Sequence, residues 1–281
     1  MPAEGAETLG FAPSERVLIV NCDDLGMHPA VTAGIVDAVE NGIAGSASLM
    51  VSAPGAADAM RLLSDRPWLP FGVHLTIIRD ADDSAWGPVA ARERVPSLLD
   101  TATGELFTNT PAGRDRLLAR ARLDEVEREL RAQLDAVLRE GLAPTHLDWH
   151  CLADGGRADV FELGLALAAE HGLAVRAWLD DGRAAARVQG RPVVDHAFVD
   201  SFALDPDDKA ATYERLLRDL PAGLSEWAVH PALATPEWRA IEPAGWQVRA
   251  TDHAFLTSAR AREVLAEEGI TVIDYRPLRP S

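Results

Sequence analysis

The chain is predicted to be a parallel α/β protein, and within that class a distorted TIM-like (β/α) barrel of about seven strands with irregular insertions. Three observations across its 281 residues carry this expectation. Short apolar runs alternate with helical patterns from end to end, which implies parallel strands joined by right-handed helical crossovers. No nucleotide-binding glycine fingerprint follows the first run, which favours a closed or nearly closed barrel over an open doubly wound sheet. Chemically capable side chains also stand where apolar runs end, and the carboxyl ends of parallel strands gather on one face.

Taken in order, residues 1–14 are small and acidic and read as a flexible N-terminal tail, leaving 15–281 as a single barrel domain. Residues 16–22 are the first strand. A helix from Pro29 to Asn41 has proline near its start and Gly42 just past its end. Residues 46–52 make the second strand, 55–63 the second helix and 71–76 the third strand. Residues 77–113 then lose all periodicity, and a loop that long is expected to be a lid or a wall of the binding cleft. Residues 114–140 read as the longest helix, with an apolar stripe through Leu117, Leu118, Ala121, Val126, Leu130, Leu134, Val137 and Leu138. Glu127 with Arg131 and Asp135 with Arg139 mark its solvated face. The fourth strand is 145–150, followed by a helix at 159–171 and a fifth strand at 174–178. Residues 180–207 read as irregular apart from a short strand at 193–199. A helix at 208–220, a strand at 225–230, a helix at 258–268 and a last strand at 271–275 complete the pattern.

With 27 basic and 44 acidic side chains the net charge is -17, which argues against nucleic acid or an anionic membrane as partner. The balance suits a soluble enzyme acting on a neutral or cationic small molecule. No apolar run reaches the length of a membrane span, and the N-terminus lacks the basic-then-apolar order of a secretion signal. Two cysteines make no disulfide framework, so a cytoplasmic setting is expected, and a homodimer is the default assembly. Cys22 and Cys151 read as small buried hydrophobes rather than ligands.

The candidate chemistry lies at strand ends. Val17-Leu18-Ile19-Val20 leads to Asp23-Asp24, Phe71-Gly72-Val73 to His74, Thr145 through Trp149 to His150, and Trp227-Ala228-Val229 to His230. Two imidazoles and a carboxylate meeting at one point suit a divalent metal with open positions. His146, Asp148 and His150 alternate along one strand and so face one side, but positions two apart are about 6.6 Å from each other, too far for one ion to take all three. His150, nearest the carboxyl end, is the expected ligand; Asp148 and His146 lie deeper, supporting the imidazoles or the substrate. Any one histidine here is also readable as a satisfied interior residue. Adjacent carboxylates repel unless a cation or a division of labour compensates: one holds the metal while the other takes a proton from the attacking water. An Asp-Asp pair before Gly26 is equally a common solvated turn. His230, ahead of Pro231, is placed to protonate a leaving amine, or is an ordinary hydrogen-bonded histidine. Arg176 is placed to pair with a catalytic carboxylate or to balance an acidic mouth. Trp86, Trp238 and Trp246 are candidate sugar-stacking platforms, or wall packing.

Leu18 through Gly26 resembles the opening signature of the YdjC-like chitooligosaccharide deacetylase family, and Gly34-Ile35, Asn41-Gly42-Ile43 and Ser46–Met50 continue it in order. Gly72-Val73-His74-Leu75 resembles the second motif, Pro144 through His150 the third, and His230-Pro231 a later one; the likeness runs from about residue 16 to 278. It departs where many members continue with further histidines, since Cys151, Leu152 and Ala153 follow here, and where Trp149 replaces a small residue. The resemblance implies the distorted TIM-like barrel and a metal-dependent hydrolase that removes acetyl groups from N-acetylated sugars. It also implies Asp24, His74 and His150 as metal ligands and Asp23 as general base. The cofactor would be one divalent ion, Mg2+ or Zn2+: imidazoles lean toward zinc, while members are also described with magnesium. Hydrolysis of another small amide, ester or phosphoester, or a catalytically silent ligand-binding homologue, are the rival readings.

Overall fold

Nine of the ten residues of the first strand, Arg16–Leu25 (β1), are buried, so this strand is covered on both faces and reads as one continuous apolar run. The structure is a computed structural model that describes residues 4–84, 86–196 and 199–280. Along one side of β1 lies Gly223–Val229 (β7), in register from Arg16 opposite Gly223 to Cys22 opposite Val229. Along the other side two strands share its length. Ile270–Ile273 (β8) pairs with its beginning, and Ser46–Leu49 (β2) with its end.

Outward from β2 come Phe71–Leu75 (β3), His146–Trp149 (β4) and Ala174–Val175 (β5); outward from β7 comes Val199–Asp200 (β6). Among the described residues the eight strands are all parallel, in the order β5-β4-β3-β2-β1-β7-β6, with β8 against β1. The sheet curls as a distorted TIM-like barrel does and is open between β5 and β6. Arg176, just past β5, reaches across the interior of the curl to Glu226 on β7 at 2.6 Å.

Alternation along β1 divides the core. Leu18, Val20 and Cys22 join the large cluster under the helices, whereas Val17 and Ile19 join Leu224, Tyr275 and Ala6 in a small one. Asn21 and Asp23 continue the face of Val17 and Ile19 upward, so the small cluster forms an apolar floor under a polar site. The helices are Glu4–Thr8 (α1), Pro29–Glu40 (α2), Ala56–Ser64 (α3), Pro111–Arg120 (α4), Leu123–Arg139 (α5), Ala158–His171 (α6), Asp180–Val188 (α7), Lys209–Arg218 (α8), Pro236–Ile241 (α9), Trp246–Leu256 (α10) and Ala259–Glu267 (α11). No described helix is long and apolar enough to cross a membrane.

The structure departs from the sequence expectations in five places. Residues 1–3 of the expected tail lie outside the described residues, but from Glu4 the segment is folded. Gly5 and Ala6 donate their backbone N–H groups to the Asp195 carboxylate at 2.6 and 3.0 Å, an acid at a helix N-terminus, and Ala6 enters the floor. The long helix expected over 114–140 is two helices, α4 and α5, broken at Ala121–Arg122. Ser97 Oγ accepts from the Arg122 N–H at 3.0 Å, and Arg157 donates to the carbonyls of Leu118 and Ala121 at 2.9 and 2.7 Å, so the groups freed by the break are satisfied. The fifth strand ends at Val175, and the stretch read as irregular after it contains α7. Of the strand expected at 193–199, residues 197 and 198 lie outside the described residues, 193–194 are not in a strand, and Val199 begins β6. Residues 231–257, for which no element was expected, contain α9 and α10.

Candidate metal centre and active site

On a regular strand Asp23 and Asp24 would face opposite sides. The β1–β2 register shifts between Cys22 and Leu25, and Asp24 takes a left-handed φ of 73°. This bulge turns both carboxylates into one cavity, at a backbone cost of about 1 kcal/mol. The cavity, of about 530 Å³, is also lined by His74, His150 and His230. Four strand ends expected to converge therefore do so.

Asp24 Oδ1 is buried without a hydrogen-bond partner, 3.4 Å from His74 Nε2 and 3.2 Å from His150 Nδ1. Donors around one ion at ordinary bond lengths lie about 3.4 Å apart when tetrahedral and about 3.0 Å apart when octahedral. An orphaned carboxylate oxygen between two imidazole nitrogens at these spacings fits a divalent cation. Each imidazole turns its other nitrogen to a carboxylate: His74 Nδ1 to Asp148 at 3.0 Å and His150 Nε2 to Asp80 at 2.9 Å. Such partners fix ring orientation and strengthen a ligand. Asp148 thus backs His74, on the neighbouring strand, rather than His150 on its own.

Burial disfavours charge on His74, but Asp148, Asp23 and Asp24 overcome it and raise its pKa to about 9. His150 is likewise opposed by burial, yet Cys151, Asp80 and Asp24 lift it well above the usual imidazole range. Against its own burial, Asp24 is held well below the carboxylate range by Arg249 and the two imidazoles.

Asp23 is gripped at both oxygens by Arg176, at 2.8 and 2.9 Å, and receives Asn21 Nδ2 at 2.7 Å. The same buried guanidinium lies 3.0 Å from Asp148. His230 Nε2 stands 4.0 Å from Asp23 Oδ2, while its Nδ1 is 2.8 Å from Ser201 Oγ. His146 lies beneath the cavity rather than lining it. It stacks on Tyr275 at 3.7 Å, and burial depresses its pKa to about 3. Ser48 Oγ joins it to Asp148, at 3.3 and 2.5 Å. A β-carbon on Gly72 would meet the His146 ring at 2.5 Å, so the glycine ahead of His74 is required by the histidine behind it.

Asp80, Asn109 and Arg249 also line the cavity, and Cys151 does so beside His150. Asp80 and Asn109 come from the long loop, which is a cavity wall; the run Leu75–Ile78 just ahead of Asp80 was the signal available for it. Arg249, 2.8 Å from Asp24 Oδ2, comes from α10, where the sequence offered none. Cys22 is a buried hydrophobe as expected, whereas the Cys151 thiol touches Asp80 and His150. Trp86 and Trp238 are 8% and 3% exposed and serve as wall packing, with no face free to stack a sugar.

The YdjC-like protein family matches residues 17–267. A carbohydrate deacetylase of Geobacillus stearothermophilus is 33% identical over 263 residues, spanning 93% of this chain and 97% of its own. One from Enterococcus faecalis is 29% identical over 277 residues, spanning 94% and 99%. A crystal structure of an Enterococcus faecalis protein, described as a candidate for cellobiose-phosphate cleavage, superposes with a TM-score of 0.79 at 26% identity, covering 95% of this chain and 100% of that one.

Proposed function

The chain belongs to the YdjC-like family, and on that premise we propose that it is a carbohydrate deacetylase, a divalent-metal-dependent hydrolase that removes acetyl groups from N-acetylated sugars or oligosaccharides. The observation that carries the reading is the orphaned Asp24 Oδ1 between His74 Nε2 and His150 Nδ1 on a cavity shared with Asp23 and His230. A divalent ion, Mg2+ or Zn2+, held by Asp24, His74 and His150 supplies Lewis-acid polarisation of the acetyl carbonyl and an attacking water of lowered pKa.

The remaining steps belong to side chains. Asp23, oriented by Arg176 and Asn21, takes the proton of the attacking water as general base. His230, across the cavity from Asp23, gives a proton to the departing amine nitrogen. Asp148 and Asp80 keep the two imidazoles turned toward Asp24. Five carboxylates line the cavity (Asp23, Asp24, Asp80, Asp200, Glu242) against two guanidinium groups (Arg114, Arg249). With a divalent ion bound the lining stays slightly acidic, which suits a neutral amide giving acetate and a cationic amine better than an anionic phosphoester.

The test combines metal analysis of the purified protein with acetate release from a panel of N-acetylated monosaccharides and oligosaccharides, before and after chelation. Metal-dependent release from any of them is the expected result. No release from the whole panel by metal-loaded protein rejects the reading.

A further inference from the structure

The other side of the His150 ring carries a second group of donors, of which the chemistry above leaves the Cys151 thiol unused. Asp80 Oδ1 lies 2.9 Å from His150 Nε2 and 3.3 Å from Cys151 Sγ, and Sγ lies 3.3 Å from Nε2. We propose that Asp80, His150 and Cys151 form a second cation site, selective for thiophilic divalent ions of the zinc and cadmium class, that competes with the Asp24 centre for His150. The competition, though not the site itself, rests on the reading of His150 as a ligand of that centre.

Donors of this kind around a tetrahedral zinc ion stand about 3.4 to 3.6 Å apart, so the edges of the observed triangle have to open by about half an ångström or less. The Asp80 side chain is 33% exposed and able to give way, and all three residues line the cavity, where solvent completes the coordination. The thiol is held there by its own backbone. Cys151 takes a left-handed φ of 60°, which folds its side chain back against the ring of the preceding residue. A β-carbon makes that conformation unfavourable by about 1 to 2 kcal/mol, so the surroundings hold the thiol in place against a local preference.

The donor set decides the class of ion. A thiolate with an imidazole and one carboxylate favours zinc or cadmium, whereas magnesium demands oxygen. Binding to the ion-free protein breaks the Cys151 S–H bond and one N–H bond of the His150 ring, forms metal–sulfur and metal–nitrogen bonds and releases two protons to solvent, with no change of oxidation state. A neutral imidazole carries one lone pair, so His150 serves one centre at a time. An ion between Asp80 and Cys151 therefore withdraws His150 from Asp24, and thiophilic ions in excess inhibit where magnesium does not.

The experiment is a titration of the full chain, stripped of metal, with Cd2+, reading the ultraviolet thiolate-to-cadmium charge-transfer absorbance. The wild-type protein is expected to develop the band to saturation. Asp24→Asn should keep it, Asp80→Asn should weaken it about tenfold or more, and Cys151→Ser should abolish it while remaining folded by circular dichroism. No band in the wild type, a band surviving in Cys151→Ser, or its loss in Asp24→Asn overturns the proposal. Absence of acetate release alongside a normal cadmium band would reject the deacetylase reading and leave this site standing.

Discussion

Arg176 Nη1 and Nη2 reach Asp23 Oδ2 and Oδ1 at 2.8 and 2.9 Å, joining the edge of the curled sheet to its central strand. The guanidinium is buried and shared with Asp148 and Glu226, so one cation balances three carboxylates. Its planar fork fixes the plane of the Asp23 carboxylate, which an ammonium cannot do.

Removing that cation outright takes a shared counter-charge from three buried carboxylates. Arg176→Ala is expected to lose about 3 to 5 kcal/mol of stability, measured by urea denaturation. Arg176→Lys keeps the charge but not the fork. It is expected to remain folded and metal-loaded while kcat falls, and a kcat equal to wild type would show that Asp23 needs no such orientation.

The two adjacent aspartates are expected to separate cleanly by function. Asp23→Asn should bind metal as wild type does and lose about 10² to 10⁴ in turnover, the range of a general base. Asp24→Asn and His150→Ala should lose the metal itself. The paired readouts are metal content and acetate release, and an Asp23→Asn protein with full activity removes the base assignment.

The ion-free protein carries protons that a metal must displace. His74 titrates at about 9 and His150 well above its usual range, so both are charged at neutral pH, whereas Asp24 stays ionised. Metal binding is therefore expected to release more than one proton near neutrality, and affinity should fall by about tenfold per pH unit as pH drops below 9 for the His74 proton, with a further fall from the proton of His150. Calorimetry in buffers of different ionisation enthalpy counts these protons. A pH-independent affinity between 6 and 8 would mean that the imidazoles are already neutral.

How much of this was legible in the sequence follows from what each element buries. Asp24, His74 and His150 could be found because apolar strands deliver them to one end of the sheet, and β1, β3 and β4 bury nearly everything they carry. The helix α10 was invisible because its inner face includes Arg249 and Asp252, and α7 because its inner face is Gly182, Arg183 and Ala186. Charged groups paired inside a protein look like surface in a sequence. The break between α4 and α5 is imposed by Ser97 and Arg157, distant partners that no local pattern reports. The bulge at Asp24 likewise depends on β2.

His146 gives the fold a distinct response to acid. Burial depresses its pKa to about 3, whereas an unfolded histidine titrates near 6.5. Below about 6.5 the unfolded chain binds a proton that the folded chain refuses, so stability falls as pH falls, by up to about 1.4 kcal/mol per unit, until the folded pKa is reached. His74 has the opposite sign and a different window: its contribution is complete below about 6.5 and is lost as pH rises through 9. Asp24 and Asp148, both held low, lose theirs only below the ordinary carboxylate range. Subtracting the profile of His146→Gln from that of wild type therefore isolates the histidine between about pH 4.5 and 6.5. The variant is expected to be less stable at pH 8, where it loses the stack on Tyr275, and to close that gap as the solution is acidified. Urea denaturation across this range reads the slope directly, and parallel profiles would mean that the folded protein accepts a proton at His146 as readily as the unfolded chain.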